Sequence, residues 1–329
     1  MIITKTPFRV SFFGGGTDYP DWFQRYGGGF LSMAIDKYCY LSIRKLPPFF
    51  EHKHRLVYSK VENVRHESEF EHPVVREVLK WKGVPDGLEI HHDGDLPARS
   101  GLGSSSAFTV GLLHGLNGLQ GNISSKDSLA NDAIYAESTL LEETVGIQDQ
   151  IAAAYGGLNS VEIEKNGKYH VSPVVLSRDV VKEFEAHVLL CFTGISRFAS
   201  KIAKEKVGGF ATKVEVLSQM RDMVSIGQDY LSQGRLDQFA SLLDESWMLK
   251  RSLSNLVTSP AIDDLYALAK KKGAMGGKLL GAGGGGFLVF LVPPSVQEDF
   301  TSALKDFVFV HPKIDWSGSQ VAFYQPEGI

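Results

Sequence analysis

Three glycine-rich segments, far apart along the chain and unlike one another, constrain the fold most strongly. They span residues 14–19, 101–107 and 281–286 of a chain of 329 residues. Glycine has no Cβ, so the backbone can approach a bulky anion closely and can adopt positive φ. One glycine cluster is usually a turn. Three of them, each beside a predicted strand or helix, indicate one site assembled from the whole chain.

The composition limits the class of protein. Hydrophobic residues make up 43% of the chain and charged residues 22%, which is typical of globular domains, and the length predicts one large or two ordinary domains. The net charge of −4 gives no support for nucleic-acid binding, which usually requires a basic surface. Cys39 and Cys191 lie in apolar runs, which favours reduced core thiols and a cytoplasmic protein. Because there is no signal pattern and no apolar run of spanning length, we expect no membrane segment.

Hydrophobic periodicity divides the chain into two parts. The first part has strand patterns at residues 1–13 and 30–46 and helix patterns at 104–119 and 126–142, the latter with Ser124 and Asp127 spaced as a capping box. The second part is mainly helical, at residues 213–233, 235–255 and 260–272. We therefore predict two domains, at residues 1–180 and 181–329.

The middle glycine segment follows a predicted strand and opens a predicted helix. The first turn of a helix has unpaired N–H groups and the positive end of the helix dipole, and glycines in front of it let a phosphate reach them. Serine hydroxyls can add hydrogen bonds or a magnesium ligand. The alternative is a serine N-cap after a flexible loop, although three serines exceed what one cap needs. The predicted phosphate-binding residues are Gly101, Leu102, Gly103, Ser104, Ser105 and Ser106.

Two common nucleotide-binding motifs are excluded. The chain contains no Walker A sequence. Its one Gly-x-Gly-x-x-Gly sequence, at Gly281, Gly283 and Gly286, leads into a predicted strand, whereas a dinucleotide site needs a helix there. We interpret this third segment as a place where the chain passes tightly under another loop. A packed turn between two domains is the alternative.

Two carboxylates enter apolar surroundings in the first half of the chain. Glu137 lies on the apolar stripe of the predicted helix at 126–142, and Asp149 precedes the apolar residues 151–154. A buried carboxylate needs a cation, a metal or hydrogen bonds. The pair therefore predicts Mg²⁺ binding or activation of a nucleophile. A helix cap at Asp149 together with a salt bridge at Glu137 is the alternative.

The first glycine segment adds a cation and another acid. Arg9 lies in a strongly apolar strand and should have an anionic partner, for which Asp149 is a candidate. Asp18 follows the glycines, where a short acid can accept hydrogen bonds from sugar hydroxyls. Alternatively, Asp18 caps a helix at residues 20–26.

Together these motifs resemble those of the GHMP kinases, small-molecule kinases named for galactose, homoserine, mevalonate and phosphomevalonate. Residues 9–19 resemble the first family motif, residues 97–107 the second and residues 278–286 the third. Glu137 and residues 146–150 resemble the magnesium and catalytic acids. The resemblance spans the whole chain in the expected order.

The resemblance implies an α+β fold of two domains, the first like domain 2 of ribosomal protein S5 and the second ferredoxin-like. ATP is expected between them, with Mg²⁺ held by Ser105 and Glu137. Asp149 would orient or deprotonate the acceptor hydroxyl, and Arg9 would keep Asp149 ionised and stabilise the transferring charge. The expected binding partner is a small sugar phosphate, and we expect binding to neither nucleic acid nor membranes. A homodimer is possible.

The first segment also bears on the substrate. Sugar kinases of this family such as galactokinase usually carry Gly-Glu-His where this chain has three glycines, which disfavours galactose and leaves room for a larger sugar. Residues 11–19 are most similar to kinases that phosphorylate the anomeric O1 of D-glycero-D-manno-heptose 7-phosphate, in bacterial lipopolysaccharide or capsule biosynthesis. An L-fucose kinase is the nearest alternative, and a kinase-like sugar sensor without turnover is the alternative from another class.

A phosphorylated sugar would need its own basic clamp. Arg197 follows a predicted strand end and a glycine and opens a predicted helix, although a solvated helix residue is the alternative. Arg99 and Lys278 are further candidates for this clamp. The full set of expected substrate-binding residues is Gly14, Gly15, Gly16, Thr17, Asp18, Arg197 and Gly283.

Overall fold

A computed structural model describes residues 1–84, 87–195 and 199–326. Its strands form one sheet of eight and one of four. The strands are β1 (Ile2–Phe13), β2 (Gly28–Lys45), β3 (His54–Val57), β4 (Val61–Val64), β5 (Leu88–Gly94), β6 (Leu158–Ile163), β7 (Tyr169–Pro173), β8 (Val188–Phe192), β9 (Gly276–Leu279), β10 (Phe287–Leu291), β11 (Val308–Val310) and β12 (Gln320–Tyr324). The α-helices are α1 (Pro20–Tyr26), α2 (Pro73–Lys82), α3 (Ser104–Leu119), α4 (Lys126–Tyr135), α5 (Gln148–Tyr155), α6 (Arg178–His187), α7 (Ala199–Gly208), α8 (Val214–Ser232), α9 (Leu236–Arg251), α10 (Pro260–Lys271) and α11 (Gln297–Ala303).

The two sheets divide the chain almost in sequence order. The larger sheet has the order β12-β1-β2-β5-β3-β4, and β6 joins it by pairing with the first part of β2 and with β7. The smaller sheet has the order β11-β8-β10-β9 and is antiparallel throughout. The last strand, β12, returns to pair with β1. The division predicted at residue 180 falls within α6 and stays a prediction.

The second half of β1 is buried on both faces, which explains its unbroken apolar pattern. Phe12 and Phe13 both pack edge-on against Phe239 of α9, with ring centres 5.4 and 5.1 Å apart. Neighbouring strand residues normally face opposite sides, but the pairing with β2 shifts register between Ser11 and Phe13. The irregularity fixes the end of β1, and therefore the start of the first glycine segment, against the second half of the chain.

Helix α3 packs closely on the larger sheet. At Gly115 a Cβ atom would lie 2.5 Å from Cδ1 of Ile43, so a larger residue would require that buried side chain to move. Because α3 begins with the serines of the middle glycine segment, this close packing fixes the position of those serines relative to β1.

The prediction of one long helix at residues 126–142 was wrong in its second half. The α-helix ends at Tyr135 and continues as a π-helical turn, Ala136–Leu140. A π-helical turn holds one extra residue and often occurs at functional sites, and here it contains Glu137. The predicted cap was also wrong, because Ser125 accepts the hydrogen bond from the amide of Ser128.

The sequence patterns did not reveal the short hairpin of β3 and β4 or the helix α6. The two strands have four residues each, so few periods of their alternation are available in the sequence. Among the residues that the structure describes, no helix combines the length and apolar character needed to cross a membrane.

Candidate active site

A cavity of about 420 Å³ is lined by residues of all three glycine-rich segments. It is also lined by the π-helical turn and by the start of α5. The sequence-predicted residues that line it are Arg9, Gly15, Gly16, Asp18, Gly101, Gly103, Ser104, Ser105, Ser106, Glu137, Asp149 and Gly283. The structure therefore brings together segments that are separated by most of the chain.

The middle glycine segment leads into the N-terminus of α3 at the cavity. The first helical hydrogen bond runs from the amide of Ala107 to the carbonyl of Gly103, so the amides of the three serines have no partner within the helix. Gly103 has a φ of 74°, and a Cβ there would lie 3.4 Å from the carboxylate carbon of Asp149. A side chain at this position would be strained and would crowd that carboxylate. The geometry is that of an anion-binding helix N-terminus.

The third glycine segment lies directly under the middle one. A Cβ at Gly281 would be 2.6 Å from Cα of Gly101, and the amide of Phe287 donates to the carbonyl of Ser100 at 3.0 Å. The two backbones therefore touch where neither has a side chain. This agrees with the interpretation that the third segment lets the chain pass tightly beneath another loop.

Arg9 and Asp149 form a bidentate ion pair. Nε of Arg9 donates to Oδ1 of Asp149 and Nη2 to Oδ2, both at 2.8 Å, while Nη1 donates to the carbonyl of Gly101 at 2.6 Å. Arg9 is 3% exposed, whereas the Asp149 side chain is 30% exposed at the cavity. One guanidinium thus fixes both the carboxylate and the middle glycine segment, and a planar fork suits this geometry.

Glu137 is buried, and its two carboxylate oxygens differ. Oε2 accepts from Oγ of Ser106 at 2.9 Å and from Nε2 of Gln150 at 2.5 Å. Oε1 is buried without a hydrogen-bond partner among the described residues. Burial raises the pKa of the Glu137 carboxyl to about 7, although hydrogen bonds from its neighbours oppose the rise.

The residues fit a magnesium ion that is bound together with a nucleotide. No group of three His, Cys, Asp or Glu side chains able to hold a metal occurs in the described part of the chain. Mg²⁺ is usually held by one or two carboxylates plus phosphates and water, so such a group is not required. The partnerless Oε1 of Glu137 is the acceptor that a cation would satisfy. Ser105, expected as the second ligand, lines the same cavity on the exposed side of α3, while Ser106 contacts Glu137.

The first glycine segment is locked to the start of α5 through Asp18. Oδ1 of Asp18 accepts from the amide of Gly16 at 2.9 Å, and its carbonyl accepts from the amide of Ile147 at 3.1 Å. Asp18 does not cap α1, whose N-cap is Tyr19. Gly14 and Thr17 do not line the cavity. Thr17 is fully buried and its hydroxyl contacts the carbonyls of Gly14 and Gly29, so these two residues shape the loop.

Three basic residues were predicted as candidates for the clamp that holds the sugar phosphate. Arg197 lies outside the described residues. Arg99 and Lys278 both line the cavity, and Nζ of Lys278 donates to the carbonyl of Phe12 at 2.6 Å. Lys278 therefore ties β9 to the end of β1, next to the first glycine segment.

Several cavity residues were not among the predicted site residues, and three of them, Lys250, Gln148 and Gln150, make contacts that shape the site. Nζ of Lys250 donates to the carbonyls of Leu279 and Gly281, which holds the third glycine segment. A lysine three residues after the buried Trp247 on α9 was the available signal. Gln148 and Gln150 flank Asp149 and are both buried, but glutamine has no chemistry that singles it out in a sequence.

Two family models match this chain. The model of the GHMP kinases N terminal domain matches residues 69–157, and that of the GHMP kinases C terminal domain matches residues 228–309. The two ranges cover about half of the chain. They include the middle and third glycine segments and the carboxylates of Glu137 and Asp149.

Individual relatives extend the match over nearly the whole chain. A D-glycero-alpha-D-manno-heptose 7-phosphate kinase of Campylobacter jejuni is 29% identical over 92% of this chain and 93% of its own length. A bifunctional fucokinase/GDP-fucose pyrophosphorylase of Arabidopsis thaliana is 25% identical over 87% of this chain but 29% of its own length. The crystal structure of a D-glycero-D-manno-heptose 1-phosphate kinase from Bacteroides thetaiotaomicron has a TM-score of 0.80 and 24% identity, covering 97% of this chain and 98% of that one. These matches confirm the expected α+β fold.

Proposed function

We propose that this chain, which belongs to the GHMP kinase family, phosphorylates a heptose phosphate. In the proposed reaction it transfers the γ-phosphoryl group of ATP to the anomeric O1 of D-glycero-D-manno-heptose 7-phosphate. The products are the 1,7-bisphosphate and ADP. The chain is a sugar kinase of this family, and ATP is the phosphoryl donor that the family uses. The product would serve the synthesis of nucleotide-activated heptose for bacterial surface polysaccharide.

The observation that carries the phosphoryl transfer is the convergence of three groups on one cavity. These are the N-terminus of α3, the buried Glu137 and the ion pair of Asp149 with Arg9. Phosphoryl transfer needs little covalent chemistry from the protein, so positioning and electrostatic stabilisation account for most of the rate. An anion site at α3, a cation site at Glu137 and an oriented carboxylate at Asp149 would together be the parts that this reaction needs.

Each group then has a role in the reaction. The free amides of α3 would bind the ATP phosphates, and Ser105 with Glu137 would hold Mg²⁺. When bound, the ion neutralises charge on the phosphates. Asp149 would receive the hydrogen bond or the proton of the acceptor hydroxyl, and Arg9 would keep the Asp149 carboxylate ionised and in one orientation.

The choice of sugar rests on the first glycine segment and on the relatives. Gly15 and Gly16 line the cavity, and a Cβ at Gly15 would meet nothing closer than 3.9 Å, so the missing side chain at Gly15 leaves space for a substrate larger than galactose. A relative named for heptose 7-phosphate matches nearly the full length of both chains. Asp18 would bind sugar hydroxyls, and the distal phosphate would need a cation from Arg197, Arg99 or Lys278.

A coupled assay of ADP formation with Mg²⁺ tests the proposal. Heptose 7-phosphate, L-fucose, galactose and mevalonate are compared at equal concentration. We expect turnover with heptose 7-phosphate, and phosphorus NMR of the product should show a second, anomeric phosphate. Turnover with L-fucose alone would replace the proposed substrate. If a sugar binds but none of the four compounds supports ATP consumption, the result would favour a sugar sensor without turnover.

A further inference from the structure

Two buried glutamines, one on each side of Asp149, have no part in the reaction described above. They begin α5, and their amide groups have different partners. We propose that Gln150 is a positioning residue for Glu137, which it holds by one carboxylate oxygen so that the other is left for the cation of the nucleotide. This inference rests on the proposed function, because it presupposes a nucleotide-bound cation at Glu137.

The contacts of Glu137 support this role. Nε2 of Gln150 and Oγ of Ser106 both donate to Oε2, from α5 and from α3 respectively. The side chain of Gln150 is 1% exposed, and so is that of Glu137, so water does not compete for these hydrogen bonds. Hydrogen bonds to a carboxylate are among the stronger ones in proteins. Two donors on one oxygen fix the carboxylate orientation. Oε1 has no hydrogen-bond partner, because the neighbouring Thr109 hydroxyl donates to the carbonyl of Ser105 instead.

A second observation points to a ligand at the same place. Oε1 of Gln150 is also buried without a hydrogen-bond partner among the described residues. Buried acceptors nearly always have a donor, so two unpaired acceptors in one hydrogen-bonded pair of side chains need an explanation. A magnesium ion keeps several of its water molecules when it binds to protein, and those waters are hydrogen-bond donors. The pair Glu137 and Gln150 is therefore complete when a hydrated cation is present.

Gln148 is the matched control for Gln150. It has the same side chain, lies in the same helical turn and is 5% exposed. Its Oε1 accepts from Oγ of Ser11 at 2.9 Å, and its Nε2 lies 3.4 Å from Oδ1 of Asp149. Its amide therefore belongs to the Asp149 side of the cavity, so loss of this amide should leave cation binding intact.

The test is a titration of the full-length protein with Mn²⁺, followed by electron paramagnetic resonance, with ATP present and sugar absent. Gln150→Met removes the amide with little change in side-chain length. We expect its Mn²⁺ dissociation constant to rise about 10- to 100-fold, as for other residues that orient metal ligands. Metal-free ATP should bind within about twofold of the wild type. Gln148→Met should keep the wild-type Mn²⁺ constant and lower kcat instead.

Three outcomes overturn the inference. The first is a folded Gln150→Met protein with wild-type Mn²⁺ affinity, and the second is an equal loss of Mn²⁺ and metal-free ATP affinity, which a general packing role predicts. If Gln150→Met does not fold, Ser106→Ala is titrated instead. The third outcome against the inference is then a Mn²⁺ dissociation constant of Ser106→Ala equal to that of the wild type. Absence of Mn²⁺ binding by the wild type with ATP would contradict the proposed function itself and this inference with it.

Discussion

Glu137 should destabilise the folded protein in the absence of metal. The unfolded chain loses its Glu137 proton near the ordinary value of 4.5, whereas burial keeps the folded carboxyl protonated up to a pKa of about 7. Between these values the unfolded state binds fewer protons, so the free energy of unfolding falls as the pH rises. One pKa unit corresponds to about 1.4 kcal/mol, which gives a total loss of about 3 kcal/mol by pH 8.

Glu137→Gln removes this loss because the amide does not titrate. Its carbonyl oxygen can take the place of Oε2 and accept from Ser106 and Gln150. Its NH₂ group then takes the place of Oε1, and the nearby Thr109 hydroxyl, which donates to the carbonyl of Ser105, can accept from it. The variant should therefore gain stability over the wild type as the pH rises, by about 2–3 kcal/mol between pH 5 and pH 8.

Urea unfolding without Mg²⁺ and ATP, followed by tryptophan fluorescence at intervals between pH 5 and pH 8, measures this difference. The control is Glu142→Gln, which removes an exposed carboxylate from the same cavity. Surface substitutions usually change stability by less than about 0.5 kcal/mol, and we expect that here. A difference between Glu137→Gln and wild type that does not change with pH would refute the reasoning. Glu137→Gln should also lose Mg²⁺-dependent turnover, because the neutral amide lacks the charge that would hold the cation; a gain in stability with a loss of function is a common trade-off at such sites.

Four further predictions concern the proposed reaction. Asp149→Asn should lower kcat by about 100-fold or more with ATP affinity kept, and near-normal turnover in steady-state assays would remove Asp149 from the mechanism. Arg9→Lys keeps the charge but loses the fork to Asp149; hydrogen bonds to charged groups contribute about 1.5–3 kcal/mol, so kcat/KM should fall at least about tenfold, and a value within twofold of wild type would contradict this. At Gly146 a Cβ would lie 1.9 Å from Oδ2 of Asp18, so Gly146→Ala should raise KM for the sugar several-fold with the ATP dissociation constant unchanged; equal effects on both ligands would point to general damage. Arg197→Ala should raise KM for the sugar phosphate and not for ATP, and an unchanged KM would exclude Arg197 as the clamp.

The long, strongly patterned elements could be predicted from the sequence. The helix predicted at residues 104–119 is α3, and the three long helices of the second half lie within a few residues of α8, α9 and α10. The helix predicted at 126–142 was partly wrong, because a π-helical turn at Ala136–Leu140 adds a residue to the turn. A π-helical turn preserves a helix-like apolar pattern, so the sequence does not distinguish it from an α-helix.

The sequence alone determined which kinds of group this protein brings to its site. Three local features carried this information: glycines where backbones come into close contact, serines at the start of a helix, and acids within apolar runs. In each of them the residue type and spacing indicate the chemistry. Their order along the chain was enough to indicate the family. The sequence also offered Asp149 as a candidate partner for Arg9, but it did not indicate which of the other groups meet.

Only the tertiary structure decided those contacts. It showed that the candidate pair of Arg9 and Asp149 forms, across 140 residues, with two hydrogen bonds. It also placed Ser106 against Glu137 and left one oxygen of that carboxylate without a hydrogen-bond partner. It also brought in Lys250, which no motif marks. The physical reason is that such contacts depend on two things. One is how closely separate parts of the chain pack, as at Gly101 and Gly281, and the other is the number of residues in a single helical turn, as at Ala136–Leu140. Neither quantity is encoded in the periodicity of a local segment.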